Sequence, residues 1–217
     1  ETQRASRATN RPGPRASSVR ERRLRELRDD ELVRRAAAGD DRKAFAELID
    51  RHKEGVFALL YRLLGRSGEV EDVAQNVFIA AYRGLPAFKG KAKFSTWIYR
   101  IAYNQAVTAI RRIASRRSRE LQEPERDGEG QRQKEWSDPK GPTQEQGALA
   151  GQVWTAVEKL PTSLRAVVEL HYGRGFNYPE IAEVLELPLG TVKTHLHRAR
   201  AQLRTILTGG DMEVGKA

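Results

Sequence analysis

The sequence predicts an all-α protein made of two small helical domains that a flexible linker joins. Apolar residues recur at helical spacing through most of the chain, and strand-like alternation does not rise above background. Aromatic residues make up only 7% of the 217 residues while charged residues make up 31%, which favours small helical units joined by polar chain over one large core.

Composition and motif content exclude several classes of function. The chain has no cysteine, which rules out disulfides, zinc-thiolate sites and thiol nucleophiles. Its four histidines are not at metal-ligand spacing, and no P-loop, dinucleotide fingerprint or GxSxG motif occurs. The apolar runs are too short for a transmembrane helix or a signal-peptide core. We therefore expect a cytoplasmic protein that is not an enzyme, with no metal, no cofactor and no membrane insertion.

The N-terminal residues 1–20 are rich in Arg, Ser and Pro and contain almost nothing apolar. Such a segment cannot offset the entropy of ordering itself, so we expect a disordered basic arm. Two interpretations stay open for it, an arm that binds nucleic acid and a solvated tail without a partner.

Residues 21–114 show helical spacing and predict the first domain. The pattern runs to Leu64, and Gly39-Asp40-Asp41 interrupts it with an acidic N-cap before the second helix. A further helix is predicted from about Glu69 to Tyr82, and a long helix from Thr96 to about Arg112.

The helix from Glu69 to Tyr82 has an outer face that is polar except for one apolar residue. Its members are Asp72, Gln75, Asn76 and Ile79. A docking surface and a solvated face are both compatible with this composition, and the pattern alone favours the solvated face.

Between Gly84 and Thr96 lies the loop sequence GLPAFKGKAKFST, which combines two Phe and three Lys. Aromatic rings stack on unpaired bases while lysines hold the phosphate backbone, so this composition suits single-stranded nucleic acid. The alternative is that Phe88 and Phe94 staple the loop to the core.

Residues 115–147 change character, with Leu121 and Trp136 as their only sizeable apolar residues. They predict a flexible linker of mixed charge. Residues 148–208 then predict the second helical domain, and residues 209–217 an unstructured tail.

Within the second domain, residues 176–204 predict a helix-turn-helix. Its first helix runs from Tyr178 to Leu185, and the Pro and Gly of LPLG supply the turn. We expect Thr191 to cap the second helix.

The second helix of this motif has one apolar and one basic side. The apolar stripe consists of Val192, Leu196, Ala199, Leu203 and Ile206. The opposite side carries Thr194, His197 and Arg198, with Lys193 and Arg204 at its edges. No carboxylate interrupts this helix, so the basic side predicts a surface for phosphates and bases. The alternative is an ordinary amphipathic helix with a solvated basic side.

Taken in order, these parts resemble the extracytoplasmic-function (group IV) sigma factors of bacterial RNA polymerase, in the sigma-70 family. EDVAQNVFIAAYRGLPAFKGKAKFSTWIYRIAYNQA is similar to the family's region 2, and LPTSLRAVVELHYGRGFNYPEIAEVLELPLGTVKTHLHRARAQLR to its region 4. Within region 4, GTVKTHLHRAR matches one of the family's more specific short patterns. The resemblance covers about Leu32 to Leu207, with only the linker unmatched.

The resemblance implies a sigma factor that binds core RNA polymerase, recognises the -35 and -10 promoter elements and promotes local DNA melting. Its expected partners are promoter DNA, the β′ clamp helices and β flap of core polymerase, and an anti-sigma factor. The polymerase-binding residues implied are Asp72, Gln75, Asn76 and Ile79. Those implied for the -35 element are Gly190, Thr191, Lys193, Thr194, His197, Arg198 and Arg200. Those implied for the -10 element are Phe88, Lys89, Lys91, Lys93, Phe94, Ser95, Thr96, Trp97, Arg100 and Asn104.

Two departures from the family pattern bear on promoter preference. Lys91 stands where many members have an acidic residue, and the variable position 197 is His.

The competing hypothesis is a free-standing helix-turn-helix transcriptional regulator, and a third is an adaptor protein. The aromatic, lysine-rich loop and the long linker favour the sigma factor over the regulator, and the acid-free second helix disfavours the adaptor.

Overall fold

The computed structural model describes residues 22–38, 41–65, 68–120 and 144–208. Within these ranges every regular element is a helix and no strand forms, which confirms the all-α prediction. The predicted arm 1–20 and tail 209–217 lie outside the described residues, as does the stretch 121–143 of the predicted linker.

The helices form an N-terminal unit and a C-terminal unit. The N-terminal unit contains α1 (22–26), α2 (Asp29–Ala37), α3 (Arg42–Leu64), α4 (Val70–Gly84), a 3-10 turn (Leu85–Ala87) and α5 (Phe94–Glu120). The C-terminal unit contains α6 (Gln144–Glu158), α7 (Thr162–Val168), a π-helical turn (Glu169–Gly173), α8 (Tyr178–Leu185) and α9 (Leu189–Leu207).

Side-chain caps explain where α3 and α8 begin. Asp41 accepts a hydrogen bond from the Ala44 N–H at 3.2 Å, as predicted for the N-cap of α3. Asn177 and Glu180 form a reciprocal capping box at the start of α8, with both hydrogen bonds 2.9 Å long. The predicted bounds of α8 are therefore confirmed.

The prediction that Thr191 caps α9 is wrong. The N-cap of α9 is Pro188, and no side chain caps this helix. Thr191 already lies in the first turn, where its N–H donates to the Pro188 carbonyl at 2.9 Å. Proline in the extended conformation (φ −58°, ψ 143°) starts the helix three residues earlier than expected.

Helix α5 is longer than the sequence predicted, because ion pairs hold its final turns. Glu69, just before α4, pairs with Arg112 at 2.7 Å and with Arg116 at 3.4 Å. The first residues assigned to the linker, 115–120, therefore continue α5, and its last residues, 144–147, belong to α6.

A single buried apolar cluster runs through both units. It includes Leu59 and Ile98 from the N-terminal unit together with Leu170, Ile181 and Leu196 from the C-terminal unit. A smaller cluster within the C-terminal unit joins α6, α7 and α9 through Val157, Leu160, Leu164, Val168 and Ala199. The two units are thus packed together, with α8 lying against α5. In the described part of the chain, no helix combines the length and the apolar character needed to cross a membrane.

Candidate nucleic-acid interface

The second helix of the helix-turn-helix, α9, presents a polar surface opposite its buried stripe. Val192, Leu196 and Ala199 are buried. The residues on the opposite side are exposed, and we call them the recognition-helix face: Gly190, Lys193, Thr194, His197 and Arg198. Among the described residues, Lys193 and Arg198 have no ion-pair partner. This face therefore presents unpaired cations to solvent on a helix that packing holds rigid.

Arg200 is exposed like these residues but is tied to the protein. Its Nε donates to the Tyr172 hydroxyl at 2.7 Å, and its guanidinium carbon lies 5.9 Å from the centroid of the same ring. The hydrogen bond to Tyr172 raises the pKa of Arg200. The structure thus sets Arg200 apart from the recognition-helix face, with which the sequence grouped it. Thr191 is half-buried at the edge of that face.

Aromatic rings close the loop between α4 and α5. Phe88 and Trp97 have ring centroids 4.8 Å apart, and Phe94 lies 5.7 Å from Trp97. Phe94 is only 4% exposed and Thr96 only 1%, so both are packed inside the protein. The structure supports the packing alternative for Phe94, while Phe88 and Trp97 stay half-buried at the surface.

The cations of this loop and of α5 divide into free and paired groups. We call Lys89, Lys91, Lys93 and Arg100 the loop face. Lys89 and Lys91 are exposed and, in the described chain, without an ion-pair partner. Between them Gly90 has a φ of 65°, a conformation that favours glycine. Ser95 is half-buried, and Asn104 is exposed one turn beyond Arg100.

Two carboxylates of α8 occupy the rest of the loop face. Glu180 pairs with Lys93 and Glu183 with Arg100, each at 2.7 Å. Burial raises the pKa of Glu180, but hydrogen bonds from Lys93 and from the Asn177 N–H outweigh it and leave the pKa below its ordinary value. Sequence reasoning missed both glutamates, because their partners lie more than 80 residues away in the chain.

The outer face of α4 is open to solvent. Asp72, Gln75 and Asn76 are exposed, and Ile79 is 41% exposed. Tyr82, three residues further on, is 50% exposed. The sequence analysis missed Tyr82, although its i, i+3 spacing from Ile79 indicates a shared face. The surface therefore combines polar residues with two neighbouring exposed apolar side chains, and we call all five residues the α4 face.

A buried charge network also joins the two units. Glu169 is 1% exposed, and its carboxylate lies 2.9 Å from Arg174 Nε and 3.7 Å from Arg62 Nε. Arg62 belongs to α3, and its guanidinium carbon lies 4.1 Å from the Trp154 ring centroid of α6. No sequence motif marked these residues. In the described part of the chain, no group of three or more acidic or histidine side chains is arranged to hold a metal ion.

Comparison with known proteins assigns the family. The model of sigma-70 region 2 matches residues 48–117, and that of sigma-70 region 4 matches residues 150–203. The ECF RNA polymerase sigma factor SigW of Bacillus subtilis is 36% identical over 168 residues, covering 76% of this chain and 89% of the relative. The ECF RNA polymerase sigma-E factor of Escherichia coli K12 is 38% identical over 178 residues, covering 81% and 92%.

Solved structures show the same architecture. CnrH, in complex with the cytosolic domain of CnrY, aligns with a TM-score of 0.58 and 27% identity over 84% of this chain and 99% of that one. RpoE of Bartonella quintana, in complex with the anti-sigma factor NepR, aligns with a TM-score of 0.59 over 76% and 98%. Its identity is 21%, so this likeness supports the fold alone.

The fold and the matched regions define a DNA-binding transcription initiation factor. The chain belongs to the extracytoplasmic-function sigma factors of the sigma-70 family. The resemblance read from the sequence is confirmed, and with it the sigma-factor function. The free-standing regulator is not favoured, since both sigma regions match in their usual order.

Proposed function

We propose that the recognition-helix face reads the -35 promoter element in the major groove. The observation that carries this proposal is the exposure of Lys193, Thr194, His197 and Arg198 together on one acid-free side of α9, opposite a buried stripe. Side chains near the N-terminus of a recognition helix reach base edges, and arginine pairs with guanine through two hydrogen bonds. Gly190 and Thr191, in the first turn, lie where backbone N–H groups bind phosphate.

Arg200 takes a positioning role in this proposal. Its hydrogen bond to Tyr172 fixes its side chain at the edge of the recognition-helix face. A fixed arginine contacts a phosphate without ordering a flexible side chain on binding, and phosphate contacts set register without carrying sequence information.

The loop between α4 and α5, with the start of α5, binds the -10 element as a single strand. A base extruded from the duplex costs a few kcal/mol of stacking, which an aromatic surface offsets. Phe88 and Trp97 are half-buried beside the exposed Lys89 and Lys91, so they offer rings next to cations. Phe94 and Thr96 act from inside by holding the loop. Ser95, Asn104 and the remaining loop-face cations contact the strand at its edges.

The α4 face, formed by Asp72, Gln75, Asn76, Ile79 and Tyr82, binds the β′ clamp helices of core polymerase. An exposed apolar pair within a polar surface supports a docking role over a solvated one. The C-terminal unit contacts the β flap. On this proposal the chain is a cytoplasmic binding subunit and not a catalyst.

An anti-sigma factor is a further proposed partner of this chain. The solved structures of CnrH and of the Bartonella RpoE are complexes with CnrY and with the anti-sigma factor NepR.

The proposed domains are residues 21–114 and 148–208, connected by 115–147. The helices that border the connection extend into it, since α5 ends at Glu120 and α6 begins at Gln144. Two domains joined in this way would make separate contacts to the two promoter elements.

In vitro transcription with core polymerase tests this mechanism. A library of genomic fragments first supplies the promoters that the wild-type chain uses. Arg198→Ala should then weaken discrimination at one position of the -35 element by ~1–3 kcal/mol, without weakening core binding. Arg204→Ala is the matched control: this exposed arginine is at the edge of the same side of α9 but lies in its last turn, away from the N-terminal residues that reach base edges. Equal loss from both variants, or joint loss of core binding, contradicts the assignment.

A further inference from the structure

The centre of the recognition-helix face carries short side chains. Gly190 and Thr194 lie one helical turn apart, on the side of α9 opposite the buried Val192 and Leu196. In the described part of the chain, a Cβ atom at position 190 would contact nothing within 4 Å beyond its own helix and the adjacent residues. A helix with so little side chain at the centre of its exposed side can approach base edges closely.

Longer cationic side chains flank this centre. Lys193 precedes Thr194 in the first turns of α9, and Arg198 follows it by one turn, both exposed. Lysine and arginine side chains can reach phosphates or guanine from beside the groove. Threonine has neither the length nor the charge for such contacts. Thr194 can therefore touch only what lies directly beneath the helix, which in a major groove is the edge of a base pair.

The hydroxyl group of Thr194 is already used within the helix. It donates to the Gly190 carbonyl, with the two oxygens 2.9 Å apart. This hydrogen bond to the carbonyl of residue i−4 selects one of the two rotamers that threonine adopts in helices. Since a hydroxyl group has only one hydrogen, Thr194 has none left for the acceptors of a purine. Its methyl group is thus left to make contacts outside the helix.

The chemistry of the base edges then selects thymine. In the major groove thymine presents one acceptor, O4, together with its C5 methyl group, whereas adenine and cytosine present amino donors. Lys193 and Arg198 only donate, and α9 carries no carboxylate that would accept from an amino group. Guanine presents acceptors but no apolar group. Thymine fits both properties of this surface, because O4 accepts from a neighbouring cation while the C5 methyl group packs on Thr194.

We propose that Thr194 makes the -35 element specific for thymine at one position, by packing its methyl group on the C5 methyl group of that base. This inference rests on the proposed -35 role of the recognition-helix face, and it names one base that this face recognises. Thr194 is then a specificity-determining residue. The cations beside it supply affinity, most of it through phosphates and independent of sequence.

The test removes the methyl group from the base and from the protein separately. Holoenzyme, assembled from core polymerase and this chain, binds a promoter fragment identified by in vitro transcription. Each thymine of the -35 element, on either strand, is replaced in turn by deoxyuridine, which lacks only the C5 methyl group. At one position we expect deoxyuridine to lower the apparent affinity of the wild-type holoenzyme by about 2- to 5-fold, the effect of burying one methyl-sized group.

Two variants of similar size separate the two groups of Thr194. Thr194→Ser keeps the hydroxyl group and removes the methyl group, so the preference for thymine over deoxyuridine should disappear. Thr194→Val keeps a methyl group without the hydroxyl, so the preference should persist. The preference is a ratio of affinities for two DNA fragments, and any change in folding or core binding cancels in it.

Thr205→Ser is the matched control. Thr205 lies three turns further along the same side of α9, and its hydroxyl donates to the Ala201 carbonyl at 3.2 Å, as Thr194 does to Gly190. It is near the end of the helix, away from the residues that reach base edges. Removal of its methyl group should therefore leave the preference for thymine as it is in the wild type.

Three results overturn the inference. In the first, no deoxyuridine in the -35 element weakens binding of the wild-type holoenzyme. In the second, Thr194→Ser keeps the wild-type preference. In the third, Thr194→Val loses it, which assigns recognition to the hydroxyl oxygen. Failure of the proposed -35 role gives a different result, because Arg198→Ala then leaves discrimination unchanged at every position of the element.

Discussion

The two proposed promoter-binding surfaces of this sigma factor differ in what occupies them. On the recognition-helix face, Lys193 and Arg198 project from a rigid helix and have no ion-pair partner in the described chain. On the loop face, Lys93 and Arg100 are engaged by carboxylates of α8. The same residue types therefore lie ready for DNA on one surface and neutralised on the other. Cation content alone does not define a DNA-binding surface, because accessibility depends on how the two units pack.

The two surfaces also differ in how strongly their exposure depends on the packing of the two units. The recognition-helix face rests on the apolar stripe of α9, whose residues pack both in the cluster shared by the two units and in the smaller cluster of the C-terminal unit. The loop face depends on whether the C-terminal unit stays in place. Changes far from the loop should therefore alter single-strand binding while leaving the -35 contacts of α9 intact.

The largest effect is expected from Glu169→Ala, which removes the buried carboxylate between the units. Arg62 and Arg174 then lose their shared anion, and breaking a buried pair costs about 3–5 kcal/mol. The free energy of unfolding, measured by urea titration, should fall by the lower part of that range, since both arginines keep some solvent contact. The loop face should become more accessible as the units separate. Glu158→Ala is the control, because its exposed carboxylate is 3.6 Å from Arg62 and should contribute at most ~1 kcal/mol.

The next effect is a loss of stability at alkaline pH that depends on Tyr99. Burial raises the pKa of Tyr99 to about 12, from an ordinary value of 10.0. A raised folded-state pKa means that its contribution is fully present below pH 10 and is lost as pH rises toward 12. Two pKa units correspond to about 3 kcal/mol. Denaturant titrations should show this decline in the wild type and a shallower one in Tyr99→Phe; parallel profiles would contradict the assignment.

A smaller and more local effect is expected from Gly55→Ala on α3. A Cβ atom at position 55 would lie 1.8 Å from the Tyr99 hydroxyl oxygen. Overpacking of this kind costs about 1–3 kcal/mol and pushes α3 and α5 apart. Tyr99→Phe removes the clashing oxygen, so the double variant should recover much of the lost stability in a thermal melt.

Gly151→Ala is the matched control for that substitution. Position 151 is also a helical glycine, but no atom lies within 4 Å of its Cβ position. It should be neutral or stabilising by up to ~1 kcal/mol. If Gly55→Ala behaves like Gly151→Ala, the close approach of Tyr99 to α3 is not a feature of the protein in solution.

Local signals in the sequence were sufficient for most of the fold. These signals act within a few residues of the chain: the acidic cap at Asp41, the Pro and Gly around position 188, and the apolar stripe of α9. They therefore predicted where helices form and which side of α9 is buried. The end of α5 was mispredicted because it depends on Glu69, more than 40 residues upstream. Ion pairs over such separations leave no periodic pattern to detect.

The candidate site divides in the same way. The exposure of Lys193 and Arg198 could be predicted, because helical spacing places them opposite the apolar stripe of α9. The burial of Phe94 and Thr96, and the pairing of Lys93 and Arg100, depend on tertiary packing. The same lysine-rich composition predicts free cations and masked ones equally well. Only the position of α8 distinguishes them.

The most direct test of this account compares the distance between the two units in the free chain and in the transcription complex. Spin labels at Ala46→Cys and Ala201→Cys report it in both states, with core polymerase and a promoter fragment found by in vitro transcription. We expect the distance of the closed structure in the free chain and a longer one in the complex, where α8 has left Lys93 and Arg100. An unchanged distance in the complex, together with specific transcription, would contradict the claim that the units must separate to expose the loop face.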